Sequence, residues 1–264
     1  MREFGVDEAG KGPVLGSMFA AAVVADPGAL PADVGDSKAV APERREELAA
    51  AIRDVADAVG LAEIPVERID DEETDMNSLT VAAHAEALDD ALDDLDVRGE
   101  HPPATDGADG DAVLSGYVDA GDTNAVRFER RVADAASADL DVRGEHAADE
   151  TYAVVGAASI VAKVERDAHV AALAEEYGDL GSGYPSDPST REFLEAYVAE
   201  HDGLPPCARS SWKTSRDVLA AADQSSLGEF EPDGGRETAE DDGTTSEVRS
   251  DGGRPEPQTT LDEF

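Results

Sequence analysis

The sequence predicts an α/β domain over residues 1–222, followed by an acidic tail over residues 223–264. Three observations lead to this expectation. Hydrophobic residues make up 41% of the chain and fall in periodic runs, which a disordered chain lacks. Short apolar stretches alternate with amphipathic ones, as strands and helices do in α/β proteins. After residue 222 the chain becomes rich in Gly, Asp, Glu, Ser and Thr, too polar to fold unaided.

The first candidate strand contains Phe4 and Val6 and ends in two carboxylates, Asp7 and Glu8, followed by the turn Gly10-Lys11-Gly12. Neighbouring side chains in a strand point to opposite faces, so both carboxylates can serve one site only if the strand ends or twists there. The glycines favour such a bend and let main-chain N–H groups face an oxyanion or a hydroxyl. For a lone acidic pair, a charged hairpin turn is the simpler interpretation.

Met18 to Ala25 predicts a second strand, paired with the first as a hairpin. Asp36-Ser37-Lys38 then precedes a helix that starts at Pro42 and is expected to run to Gly60. The trio has the composition of a helix entry, but Lys38 is one of only four lysines in the chain. Leu61 to Ile69 predicts a short strand, and Met76 to Leu95 a second amphipathic helix.

A third carboxylate, Asp119, ends the candidate strand Ala112 to Val118, and a helix is expected over Ala125 to Ala138. The octapeptide DLDVRGEH occurs at Asp94 to His101 and again at Asp139 to His146. It is too isolated to indicate a repeat architecture.

Tyr152 to Val155 predicts a last short strand, followed by a strong helix from Ile160 onward. In that helix Lys163 and Asp167 are four residues apart, so an ordinary ion pair is the simplest interpretation of the two. Beyond it, glycines and prolines surround Tyr184 in an irregular loop before another helix. A tyrosine on such a loop suits contact with a sugar or base, although it could equally pack inward.

The chain carries 61 acidic and 21 basic side chains, a formal net charge of −40. Such a surface repels nucleic acid unless salt shortens the range of its charges to about 3 Å at 1 M. The composition therefore indicates adaptation to a very salty cytoplasm. One cysteine, Cys207, excludes an internal disulfide framework and a thiolate cluster. The apolar run Met18 to Val24 is too short to span a bilayer, so we expect a cytoplasmic protein without membrane contact.

Two copies of one pattern lie in the tail region: QSSLGEF at Gln224 to Phe230 and QTTLDEF at Gln258 to Phe264. They hold most of the large apolar side chains found there.

Residues 1 to about 220 resemble ribonuclease HII, the type 2 ribonuclease H, in its archaeal form and from an extreme halophile. The resemblance is carried by GVDEAGKGP, DSK, VDAGD, AASIVAKVERD, GSGYPSDPST and SWKT, in that order along the chain. It implies the ribonuclease H-like fold, a mixed five-stranded sheet flanked by helices, with a C-terminal helical part and a disordered tail. It also implies a monomer that cleaves the RNA strand of RNA–DNA hybrids and ribonucleotide-containing duplex DNA.

The resemblance further implies roles for individual residues. The catalytic residues, which would also be the ligands of two Mg²⁺ or Mn²⁺ ions, are Asp7, Glu8, Asp119 and Asp167. The nucleic-acid contacts would come from Gly10, Lys11 and Gly12, which sense the ribose 2′-hydroxyl, from Tyr184 on the sugar, and from Ser37, Lys38 and Lys163 on phosphates. The products would carry 5′-phosphate and 3′-hydroxyl ends.

Lys11 departs from the family, which usually has arginine between the two glycines. The tail patterns resemble sliding-clamp-binding boxes, in which Gln224, Leu227 and Phe230, or Gln258, Leu261 and Phe264, would enter the clamp. Two alternatives remain open: a non-catalytic scaffold tethered to a clamp, and a nuclease of the same fold acting on another nucleic acid.

Overall fold

The computed structural model describes residues 1–36, 41–98 and 113–228, with the backbone alone described at 36, 96–98 and 225–228. Its strands are β1 (Glu3–Ala9), β2 (Met18–Ala25), β3 (Ala58–Ile64), β4 (Leu114–Asp119) and β5 (Leu140–Glu145). Its helices are α1 (Pro42–Val55), α2 (Val66–Ile69), α3 (Met76–Arg98), α4 (Ala125–Ala135), α5 (Ala148–Thr151), α6 (Ala153–Tyr177), α7 (Pro188–His201) and α8 (Lys213–Gly228). No helix in these ranges is long and apolar enough to cross a membrane.

The five strands form one mixed sheet in the order β3-β2-β1-β4-β5, which confirms the predicted fold class. β1 pairs with β2, and β2 with β3, in antiparallel fashion, whereas β4 runs parallel to β1 and β5 parallel to β4. Strand β2, which lies between β3 and β1, is buried along its whole length. Burial on both faces explains why its sequence is a continuous apolar run and does not alternate.

Helices cover both faces of the sheet. One core cluster joins α3 and α4 to a face that includes Phe4 and Val6, and a second joins α1 and α6 to the opposite face, which includes Ala21. Glycine permits the close approach of these layers, since a Cβ added at Gly5 would lie 2.2 Å from the backbone carbon of Val154 in α6.

A third core cluster belongs to the C-terminal helical part. It packs α7 and α8 against Val14 and Leu15, which follow the glycine-rich turn after β1. The turn therefore lies at the junction between the sheet and this helical part.

Two predicted boundaries in the first half of the chain were wrong. Helix α1 ends at Val55, not Gly60, and β3 begins at Ala58, while the predicted strand end Val66–Ile69 is the short helix α2. The alternating burial of β3 explains the strand, because every second residue from Ala58 packs into the core.

The predicted strand at Tyr152 to Val155 was also wrong. Tyr152 is the extended residue before α6, and Ala153 already begins that helix. A short apolar run cannot by periodicity be told from a buried helix segment, and here the helix packs on β1. The fifth strand is β5, formed by the second copy of the octapeptide. At the other end of the chain, α8 continues past residue 222 to Gly228.

Candidate active site

Asp7 and Glu8 lie in β1 on opposite faces of the sheet. The strand continues to Ala9, so the expected bend at the acidic pair is absent. The Asp7 carboxylate accepts a hydrogen bond from the Ser159 hydroxyl in α6, and Glu8 lies 2.8 Å from His84 Nε2 in α3. The pair therefore lies near the end of the strand with its two side chains on opposite faces, and one carboxylate is held from each helical layer.

Asp119 joins this pair because β1 and β4 are parallel neighbours. Val6 is in register with Val118, so Asp119, the last residue of β4, lies beside Asp7. Its Oδ1 accepts a hydrogen bond of 2.8 Å from the Ala148 N–H at the start of α5. Carboxylates from two distant segments of the sequence thus meet where two strands end.

The electrostatics of Asp7 and Asp119 are unfavourable in the absence of a cation. Burial raises the pKa of Asp7 well above its usual range, the charge of Glu8 raises it further, and the bond from Ser159 opposes both. Burial likewise raises the pKa of Asp119, although the Ala148 N–H counteracts it. Negative charge is therefore concentrated at this point and only partly compensated.

Two supporting residues, Ser159 and His84, were missed by sequence reasoning. Ser159 is fully buried and accepts a hydrogen bond of 2.5 Å from Lys163 Nζ, so Lys163 connects through Ser159 to Asp7. His84 is also fully buried, and within the described chain its Nδ1 has no hydrogen-bond partner. The tautomer with hydrogen on Nε2 satisfies both observations, because Nε2 then donates to Glu8. A histidine on the apolar face of a helix gave no sequence signal of this contact.

Asp167, the fourth predicted carboxylate, lies on α6 and contacts two arginines. Arg45 Nη1 is 3.1 Å from its Oδ2, and Arg166 Nη1 is 3.4 Å from its Oδ1. Its side chain is 43% exposed. The structure therefore brings Asp7, Glu8 and Asp119 together, with Asp167 on the adjacent helix in a different set of contacts.

The donor set fits a hard divalent cation. Carboxylate oxygens are the ligands that Mg²⁺ and Mn²⁺ prefer, and the raised pKa values of Asp7 and Asp119 mark charge that a cation would neutralise. Within the described ranges, no three Asp, Glu, His or Cys side chains already stand close enough to hold an ion.

The turn Gly10-Lys11-Gly12 and Tyr184 face each other next to this cluster. A Cβ added at Gly12 would lie 3.7 Å from Tyr184 Cε1. Gly10 has a φ of 88°, a conformation that glycine adopts readily and other residues avoid. Tyr184 is 40% exposed, and the Arg166 guanidinium lies 5.1 Å from the centroid of its ring.

Lys11 connects the turn to the end of β4. Its Nζ donates a hydrogen bond to the Gly121 carbonyl, just beyond Asp119. A Cβ added at Gly121 would lie 3.2 Å from both Lys11 Nζ and Glu8 Oε1. The lysine that replaces the usual arginine therefore places its charge beside the carboxylate cluster.

Several predicted contact residues lie outside the described part of the chain: Ser37, Lys38, Phe230, Gln258, Leu261 and Phe264. Gln224 is exposed on α8, and the backbone of Leu227 belongs to the same helix.

Comparison with known proteins gives a consistent result over the domain. The family model for ribonuclease HII matches residues 4–215. Ribonuclease HII of Haloarcula marismortui is 65% identical over 227 residues, which span 86% of this chain and 99% of that protein. The crystal structure of ribonuclease H2 from Pyrococcus horikoshii superposes with a TM-score of 0.71 at 32% identity, over 85% of this chain and all of the other. The ribonuclease HII in a complex with PCNA from Archaeoglobus fulgidus gives a TM-score of 0.67 at 35% identity, over 82% and 96% of the two chains.

Proposed function

The chain belongs to the ribonuclease HII family of metal-dependent endonucleases, which act on RNA in RNA–DNA hybrids, and on that premise we propose how it acts. It cleaves both the RNA strand of hybrids and duplex DNA at embedded ribonucleotides. Cleavage is a two-metal hydrolysis that leaves 5′-phosphate and 3′-hydroxyl ends. The observation that carries this proposal is the meeting of Asp7, Glu8 and Asp119 at the ends of two parallel strands.

Asp7, Glu8, Asp119 and Asp167 are the residues that would hold the two ions, Mg²⁺ or Mn²⁺. When bound, such ions supply a water nucleophile of lowered pKa and stabilise the charge that develops on the departing oxygen. The protein's own part is to hold the carboxylates. Ser159 fixes Asp7, His84 fixes Glu8, and the Ala148 N–H fixes Asp119. Each partner limits the rotation of a carboxylate before any ion arrives.

Recognition of RNA is assigned to the turn and Tyr184. A 2′-hydroxyl is both donor and acceptor, so a site that pairs with it distinguishes ribose from deoxyribose. The Gly10-Lys11-Gly12 backbone would meet that hydroxyl while the Tyr184 ring packs on the sugar, and their facing positions support this division of roles. Ser37, Lys38 and Lys163 would contact phosphates.

Binding to a sliding clamp is proposed for the tail. The two boxes at residues 224–230 and 258–264 would place a glutamine, a leucine and a phenylalanine against the clamp. The complex of a related ribonuclease HII with PCNA supports this partner. We further propose that the protein is a cytoplasmic monomer. We also propose that it is adapted to high salt, because its net charge of −40 requires screening before it can approach a nucleic acid.

The deciding experiment is cleavage of a DNA duplex containing one ribonucleotide, in molar KCl, with Mg²⁺ and with EDTA. Metal-dependent cleavage that produces 5′-phosphate and 3′-hydroxyl ends is expected. An all-RNA duplex and an all-DNA duplex serve as controls for the alternative nuclease. Clamp binding without any cleavage would favour the non-catalytic scaffold.

A further inference from the structure

We infer that Arg209 is a positioning residue for ribose recognition, one that holds the Gly10-Lys11-Gly12 turn with its N–H groups facing outward. This inference rests on the proposed function of that turn. It assigns a role to a residue outside every motif that marks the family resemblance in this sequence.

The guanidinium of Arg209 is fully buried beneath the turn. Its Nη2 donates to the Gly10 carbonyl at 2.6 Å, its Nη1 to the Lys11 carbonyl at 3.0 Å, and its Nε to the Gly16 carbonyl at 2.8 Å. One side chain therefore holds three main-chain oxygens at once, which requires the planar, forked donor set of arginine.

Peptide geometry converts these bonds into an orientation for the N–H groups. In a trans peptide the C=O of one residue and the N–H of the next point in opposite directions. When the carbonyls of Gly10 and Lys11 point toward Arg209, the N–H groups of Lys11 and Gly12 point away from it. Within the described residues, neither of these N–H groups has a hydrogen-bond partner. Two oriented donors are therefore available beside Tyr184.

Trp212 completes the support of the turn. Its Nε1 donates to the Gly12 carbonyl at 3.3 Å, and its ring lies 4.9 Å from the Arg209 guanidinium. The next peptide N belongs to Pro13 and carries no hydrogen, so anchoring this carbonyl orients no further donor.

The same support fixes the turn relative to Tyr184. The N–H of Arg209 donates to the Val14 carbonyl, and the Val14 N–H donates to the Gly183 carbonyl at 2.8 Å, next to Tyr184. Burial lowers the pKa of Arg209 to about 10, so the group stays charged at neutral pH and needs its acceptors. A buried cation with three fixed partners makes the turn rigid before substrate arrives.

The test measures ribose preference separately from cleavage. Asp7→Asn protein, expected to bind without cutting, is titrated in molar KCl with a duplex containing one ribonucleotide and with the all-DNA duplex of the same sequence. Adding Arg209→Met should reduce the ratio of the two affinities about 5- to 100-fold, the loss expected for two hydrogen bonds to the hydroxyl. The affinity for the all-DNA duplex should stay the same. Arg209→Lys keeps the charge without the fork and should recover only part of the ratio.

Two further variants separate positioning from a general loss of stability. Ile52→Ala removes a fully buried side chain of the second core cluster and should leave the affinity ratio unchanged. Trp212→Phe removes the indole donor and part of the ring that packs on the Arg209 guanidinium. It should therefore loosen the turn and lower the ratio about 2- to 10-fold, the loss expected for one hydrogen bond, even if the arginine variants do not fold.

The outcomes are distinguishable. If the Asp7→Asn protein itself shows no preference for the ribonucleotide duplex, the proposed function of the turn is wrong and the inference fails with it. If the preference exists and survives in Arg209→Met, the inference alone is overturned. Where the arginine variants do not fold, survival of the preference in Trp212→Phe overturns it instead.

Discussion

Replacing Asp7 by asparagine should abolish cleavage and stabilise the metal-free protein. Asp7 is 6% exposed, and burial, followed by the charge of Glu8, raises its pKa well above the ordinary value. A neutral amide of nearly the same shape removes the charge that causes both effects. Loss of activity should exceed the roughly 10- to 100-fold typical of losing a residue that only supports a metal ligand.

The stability effect has a definite sign and pH window. Below about pH 3.9, Asp7 is protonated in both the folded and the unfolded chain and does not lower the free energy of unfolding. As pH rises from there to the raised pKa of the folded protein, the unfolded chain loses its proton first, so the free energy of unfolding falls. Above that pKa, the free energy of unfolding stays lower by about 1.4 kcal/mol for each unit by which the pKa of Asp7 in the folded chain exceeds its pKa in the unfolded chain.

The Asp7→Asn variant escapes this loss and should melt higher than the wild type at neutral pH in EDTA. For a domain of this size, each unit of pKa difference corresponds to about 3 to 6 °C. The advantage should shrink as pH falls toward 4. Because a bound ion stabilises only the protein that holds it, Mg²⁺ should raise the melting temperature of the wild type and change that of the variant little.

Thermal unfolding in molar KCl, from pH 4 to 8 and with EDTA or Mg²⁺, measures all of these effects. Asp141→Asn is the matched control, since it removes the same charge from an exposed position on β5 and should change neither activity nor melting. A variant that melts no higher than the wild type at pH 7 in EDTA would refute the uncompensated charge at Asp7. Near-normal cleavage by the variant at saturating Mg²⁺ would refute its role as a ligand.

Three further results are expected. Tyr184→Ala should lower kcat/KM about 5- to 150-fold, equivalent to about 1–3 kcal/mol for a stacked ring, while Tyr184→Phe keeps most of the activity; equal losses in both would point to the hydroxyl instead. Folding and cleavage should improve from low salt toward molar KCl, because screening relieves self-repulsion and repulsion from substrate; an optimum near 50 mM salt would contradict the halophilic interpretation. Calorimetry with a sliding clamp should show weaker binding for Leu227→Ala/Phe230→Ala and for Leu261→Ala/Phe264→Ala than for the intact chain, and none for the quadruple variant; a quadruple variant that binds as tightly as the intact chain would exclude both boxes.

The sequence indicated which carboxylates lie near strand ends, but it did not indicate how the fold brings them together. Strand-end carboxylates at Asp7, Glu8 and Asp119 are visible in the sequence because a polar residue that closes an apolar run stands out. The bend expected between Asp7 and Glu8 is absent. The sheet brings the charges together instead by placing β4 parallel to β1, and that pairing joins residues more than 100 positions apart.

The supporting residues could not be predicted, for the same reason. Considered in sequence alone, His84 is a core histidine, Ser159 is a serine in a helix, and Arg209 is an arginine near a loop. Each becomes functional only through a partner distant in the chain: Glu8, Asp7 and the turn carbonyls. No periodicity or spacing encodes such contacts.

The octapeptide DLDVRGEH separates most clearly what the sequence determines from what the tertiary structure decides. Composition and motifs by themselves determined the acidic character, the α/β class and the candidate carboxylates. Yet Asp94 to Arg98 of the first copy belong to helix α3, while Leu140 to Glu145 of the second form strand β5. The described residues of the first copy continue a long helix packed on the sheet, and the second copy adds an edge strand beside β4. Identical side chains adopt different backbones because local preferences of a few tenths of a kcal/mol per residue are smaller than the energy of the packing and strand pairing that surround them.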